Sequence, residues 1–173
     1  MEFLTKIAGG VAMAANAAGT LMVIALIAVV NYDIVARGFF NKPFHGAVEV
    51  VQFTMVLIVF LQLPDVIRVG RLTRSDGFLG LMQTRRPPVG RFMSRVIDLF
   101  SATFMVIVAY AIWPEFLEMW ASQDYFGVPG VFTAPWWPIK LVIFASAVLC
   151  TIHFALRIIT GAESAASAVE SRT

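Results

Sequence analysis

Residues 8–30 read AGGVAMAANAAGTLMVIALIAVV, an unbroken run without a charged side chain. At ~1.5 Å per residue the run makes a helix about 34 Å long, enough to cross a hydrocarbon core of ~30 Å. The short head, Met1 to Ile7, carries Lys6, and small residues at Ala12–Ala14 or Ala15–Ala17 imitate a cleavage site. A secretory leader has an apolar region of only about 7–15 residues, and this run continues through Leu21–Val30, so it reads as an uncleaved first span. Three more runs of membrane length follow, at about 44–63, 97–113 and 138–159. A backbone in lipid must satisfy its own hydrogen bonds, which for runs of this length means helices. The expectation is an all-α integral membrane protein. It has four transmembrane helices, short interfacial helices, and one domain over residues 1–173.

Charge supports this reading and orients it. Hydrophobic residues make up 59% of the chain and charged residues only 14%, and the mean hydropathy is +0.80. A soluble domain would spread charge over its helix faces. Here ten of the thirteen basic residues fall on one side of the spans: Lys6, the seven arginines of the 64–96 loop, Arg157 and Arg172. Between Trp113 and Trp137, across the outer loop 114–137, there is no Lys or Arg. The positive-inside rule then places both termini in the cytoplasm, with Trp136 and Trp137 at the outer interface. The pI near 9.0 therefore reflects the cytoplasmic membrane surface and not nucleic acid.

Between the spans, Ser75–Thr84 reads as a short helix lying in the inner interface. Ser75 or Asp76 caps it, and Arg85-Arg86-Pro87-Pro88 ends it. On the outer side Pro114 suits the first turn of another short helix, with Glu115 and Glu118 near its start. The rest, to Pro135, reads as a Gly/Pro-containing loop, and residues 162–173 as a frayed tail. In the first span Gly10, Ala14 and Ala18 recur every four residues and make a flat ridge that another helix can approach closely. Either this bundle or a partner subunit can take that ridge.

The sequence offers no reaction centre. Cys150 is the one cysteine, which leaves no internal disulfide and no dithiol chemistry. His45 lies at the outer end of the second span, and His153 lies ~24 Å deeper along the fourth. One haem cannot join them, and His153 reads as a helix-packing group. Neither clustered metal ligands nor a glycine-rich nucleotide loop occurs, so no cofactor is expected. The polar group that needs an account is Glu49, about one turn inside the second span with Gln52 on the same face. A carboxylate facing lipid is costly, and Arg37, on the same side of the hairpin, is its expected ion-pair partner. A proton relay or a contact with another subunit is the competing reading.

In order along the chain stand Arg37-Gly38-Phe39-Phe40-Asn41-Lys42-Pro43-Phe44 with Glu49 beyond it, Gly70-Arg71-Leu72-Thr73-Arg74-Ser75-Asp76, Gly127-Val128-Pro129, and Trp136-Trp137-Pro138. Over about residues 20–160 this pattern resembles the small membrane subunit of tripartite ATP-independent periplasmic (TRAP) transporters, the DctQ-type protein. Leu72 stands where that family usually has His, and Gly46-Ala47 where an aromatic often precedes the Glu. The resemblance implies a non-catalytic inner-membrane subunit. Its partners would be a large DctM-type membrane subunit and a DctP-type periplasmic binding protein, in sodium-coupled uptake of an organic acid. It would widen the stationary scaffold against which the mobile part of the large subunit slides. On this reading Glu115, Glu118 and Asp124 face the binding protein, and Arg71, Arg74, Arg85 and Arg86 hold phospholipid headgroups. The competing class is a small channel or exporter acting as a homo-oligomer, which predicts a polar stripe along one span. Asn16, Asn31, Glu49, Gln52 and Gln62 are too scattered to form one.

Overall fold

The structure is a computed structural model that describes residues 2–42, 44, 46–70, 87–128 and 132–170. Four helices carry it: α1 (Glu2–Phe40), α2 (Ala47–Val69), α3 (Pro87–Ser122) and α4 (Trp137–Glu170). A two-stranded hairpin, β1 (Tyr125–Val128) and β2 (Phe132–Pro135), sits between α3 and α4. All four helices contain a stretch long and apolar enough to cross a membrane. The four-span, all-α expectation therefore holds.

The helices outrun the apolar stretches that announce them. α1 has 39 residues, about 58 Å and nearly twice a hydrocarbon core. Past Val30 it stays helical because its polar groups are satisfied locally: Asn31 Nδ2 donates to the Ile27 carbonyl at 2.7 Å, and Arg37 bonds to Asp33 one turn earlier. Asn41, at φ 50°, turns the chain out of the helix, and the Lys42 N–H returns to the Ala36 carbonyl. At the far end of α2, Gly70 has φ 76° and its N–H closes the helix on Ile67 and Val66. A Cβ there would lie 2.8 Å from an Arg157 nitrogen, so both backbone and space demand glycine.

Two outer elements differ from expectation. Pro114 does not start a separate helix but lies inside α3. Trp113 packs on Phe144 of α4 with ring centroids 4.9 Å apart, Trp120 meets Trp137 at 5.0 Å, and Lys140 pairs with Glu115. These contacts on α4 hold α3 in line through a residue that would otherwise interrupt it. The segment expected as a loop contains the hairpin, with Phe126 opposite Ala134. Phe126 stacks on Phe53 of α2 and packs edge-on to Trp136, which seats the hairpin on the start of α2. Residues 162–170, expected to fray, continue α4. The expected interfacial helix Ser75–Thr84 lies outside the described residues.

The helices form an open row, α1–α2–α4–α3, rather than a closed bundle. Of the most apolar window of α1 and of α3, 6% is buried within the chain, against 28% for α4. That difference puts α4 inside the row and leaves broad faces of α1 and α3 uncovered. The core is small: Ile67, Cys150 and Phe154, with Leu63, Ala102 and Met105 packed against them. In lipid such a row is held by close packing and interhelical polar bonds, since burying apolar surface gains little there.

Candidate functional site: a charged junction of three helices

Where α1, α2 and α4 meet near the chain termini, polar groups converge inside the apolar array. Asp65 on α2 is 9% exposed. One of its oxygens accepts from Asn16 Nδ2 on α1 at 2.9 Å. The other accepts from Arg68 Nε, one turn along α2, at 2.7 Å. From α4 come His153, which reaches the Ala8 backbone and lies in electrostatic range of Asp65, Arg68 and Arg157, and Arg157, which lies over Gly70. The Nε2 of His153 is buried without a hydrogen-bond partner among the described residues. Small residues make the meeting possible, because Ala8 and Ala12 of α1 are buried here. Gly9 leaves room for the Arg68 stem, which would lie 3.6 Å from a Cβ at that position.

This arrangement binds helices together. Both oxygens of Asp65 are engaged by neighbours, and each bond crosses to another helix or locks the end of its own. A buried carboxylate in a span must be paired in this way or cost several kcal/mol. Among the described residues no three of His, Cys, Asp and Glu gather as metal ligands do.

A second polar group closes the opposite end of the α1–α2 pair. Asp33 accepts from Arg37 Nη2 at 2.9 Å through one oxygen, and through the other from the Phe44 backbone N–H at 2.8 Å. It therefore ties α1 to the connection that leads into α2. The pair expected between Arg37 and Glu49 is thus replaced: Arg37 turns to Asp33, and no ion pair joins it to Glu49 among the described residues. Glu49 lies in the first turn of α2, half-buried, where the free N–H groups of a helix start favour a carboxylate. Asp33→Ala is expected to lower the melting temperature and speed proteolysis in the 41–46 connection, because Phe44 loses its acceptor. Arg37→Gln, at a largely exposed side chain, should do far less. Equal effects would refute the tie.

The remaining expected residues divide cleanly. Gly10, Ala14 and Ala18 are exposed, and a Cβ at Gly10 would meet nothing within 4 Å. The ridge is therefore not used within this array. Ala8, Ala12, Gly19 and Ala36 are the small residues of α1 that are buried in it. Glu115 pairs with Lys140, whereas Glu118 and Asp124 are exposed near the hairpin. Arg71, Arg74, Arg85 and Arg86, as well as His45, lie outside the described residues. Sequence reasoning missed Asp33 and Asp65, and with them the role of Asn16. The signal was available, since each is a polar residue set among apolar ones on a membrane helix.

A row of four membrane-spanning helices, in which Asp65 joins α1 to α2 and Asp33 joins α1 to the connection that follows it, defines a multi-pass membrane protein. Residues 26–164 match the family model described as "Tripartite ATP-independent periplasmic transporters, DctQ component". The chain belongs to this family and is a small permease subunit of a TRAP transporter. A comparison with individual curated proteins gives no match.

Proposed function

We propose that the chain is the non-catalytic, stationary small subunit of its transporter, lying in the bacterial inner membrane with both termini cytoplasmic. It widens the scaffold of a large DctM-type subunit during sodium-coupled uptake of an organic acid delivered by a periplasmic binding protein. One observation supports this most directly: Asp33 and Asp65 are engaged in holding the row together, while its broad apolar faces stay open. The exposed ridge Gly10–Ala14–Ala18 is the flattest part of those faces. Close helix approach in lipid depends on such small residues, so the large subunit is assigned to it. The exposed Glu118 and Asp124, beside the hairpin, face the binding protein. The arginines of the 64–96 loop hold anionic lipid on the inner side.

The test is co-purification from native membranes. A large apolar subunit should accompany the wild-type chain. Gly10→Leu with Ala14→Leu should reduce its recovery while leaving the melting temperature of the isolated chain unchanged. On the intact complex, Glu118→Lys with Asp124→Lys should weaken docking of the binding protein without disturbing assembly. Recovery of a homo-oligomer alone would overturn the reading in favour of an autonomous channel.

A further inference from the structure

At the hairpin end of the row a recess of about 160 Å³ opens between α2, the hairpin and the start of α4. It is lined by Gln52, Phe53 and Val56 of α2, Phe126 of β1, Trp136 and Ile139. Gln52 and Val56 are exposed, so the recess opens to the side of the row. The Trp136 ring stands at 69° to the Phe126 ring with centroids 4.9 Å apart, and the Phe53 ring lies at 28° to Phe126 at 6.5 Å. These rings line unfilled space, whereas a contact made only for packing closes to the density of an interior. The volume is below the ~300–1,000 Å³ of sites for drug-sized ligands, so the recess takes a single chemical group.

Charge at the rim selects the group. Glu49 precedes Gln52 by three residues and Phe53 by four, which sets it on the same face of α2, one turn toward the helix start. No ion pair or side-chain hydrogen bond engages its carboxylate among the described residues. The cations at this end are placed elsewhere: Arg37 is turned to Asp33 and Lys140 to Glu115, and Lys42 is exposed on the connection. On the hairpin side Asp124 stands beside Trp136, whose N–H donates to the Asp124 carbonyl at 3.1 Å, and its exposed carboxylate adds a second negative charge. A hydrocarbon chain would leave Glu49 uncompensated, and an anion would be repelled. An organic cation suits both halves of the site, because aromatic faces attract a cation through their quadrupoles and Glu49 supplies the counter-charge.

We propose that the recess binds an organic ammonium group against Phe53, Phe126 and Trp136, with Glu49 as its counter-charge. The headgroup of an aminophospholipid and a free alkylammonium ion share this chemistry. The site is separate from the ridge assigned to the large subunit and does not depend on that assignment. Native mass spectrometry of the full chain, in whatever complex it purifies, distinguishes the two sources. It is run with phosphatidylethanolamine, with phosphatidylglycerol carrying the same acyl chains, and with tetramethylammonium. Phosphatidylethanolamine retained several-fold more than phosphatidylglycerol identifies the headgroup as the source. Tetramethylammonium bound to lipid-free protein, with no preference between the two lipids, identifies the free ion. Glu49→Gln should lower retention of either ligand about fivefold, the weight of one partly exposed charge pair. Phe126→Leu should lower it about tenfold, whereas Phe126→Tyr keeps the aromatic face and should retain it. Tyr110→Leu, on an exposed face of α3, should change nothing. Glu49→Gln keeps the side-chain shape and should melt as wild type does, so it decides the matter even where Phe126→Leu disturbs the hairpin. Retention unchanged in Glu49→Gln, or no binding of tetramethylammonium together with no preference for phosphatidylethanolamine, would overturn the proposal. So would a carbodiimide cross-link from Glu49 to a lysine of another subunit, which would put a protein side chain in the recess.

Discussion

Asp65→Ala is expected to destabilise the folded chain by about 3 kcal/mol, the lower end of the range for breaking a buried ion pair. The lower end applies because the Arg68 side chain is 32% exposed and can turn partly toward the headgroup region. The loss has two parts: Arg68 is left without its counter-charge, and Asn16 loses its acceptor between α1 and α2. The double variant Asp65→Asn with Arg68→Gln keeps hydrogen-bonding groups at both positions and removes both charges. It should recover most of the stability, as coupled neighbours do in a mutant cycle. Thermal or denaturant unfolding in detergent measures all three proteins. A single variant within 1 kcal/mol of wild type would refute the junction's structural weight. A double variant as unstable as the single would show that charge pairing is not the cause.

Gly19→Leu should cost more than about 3 kcal/mol, beyond the usual range for overpacking by a few methylenes. At this position α1 and α2 approach so closely that a Cβ would lie 2.8 Å from Gln62 Cγ and 3.4 Å from Leu61 Cβ. Gln62 can swing aside for one methyl group, so Gly19→Ala should be much milder. A leucine has to displace Leu61, whose Cβ is held close to its own helix, and so wedges α1 away from α2. That displacement would also break the Asn16–Asp65 bond, three residues along α1. Loss of a disulfide cross-link engineered between α1 and α2 would report it independently of stability. Gly10→Leu, on the open face of the same helix, is the matched control and should leave stability unchanged. Similar melting temperatures for Gly19→Leu and Gly10→Leu would refute the packing account.

Much of this architecture was legible in residue order because the bilayer imposes one strong constraint. Each apolar run of about twenty residues had to be a helix, and four such runs are four helices. What misled was the assumption that a helix ends where its apolar run ends. Ending the first span at Val30 left Asp33 and Arg37 in a turn, and ending the second at Leu63 put Asp65 in a loop. Helices α1 and α2 instead continue through these residues, and the i,i+4 and i,i+3 geometry that brings Asp33 to Arg37 and Asp65 to Arg68 exists only on a continuous helix. Glu49 drew attention as a lone charge for the same reason. Once α2 is seen to begin at Ala47, it is an acid at a helix start.

The sequence by itself determined the helical membrane class, the number of spans and, through its ordered motifs, membership in the DctQ family. These follow from local quantities: apolar length, the placement of arginines, and residue spacing. Tertiary structure decided which small residues of α1 pack internally and which stay open, and that Asp33 rather than Glu49 holds Arg37. It also decided that Pro114 continues α3, because α4 supports that helix on both sides of the proline. In each case residues far apart in the chain compete for the same space or the same charge. Residue order alone cannot rank such competitors, since the winner depends on distances set by the packed helices.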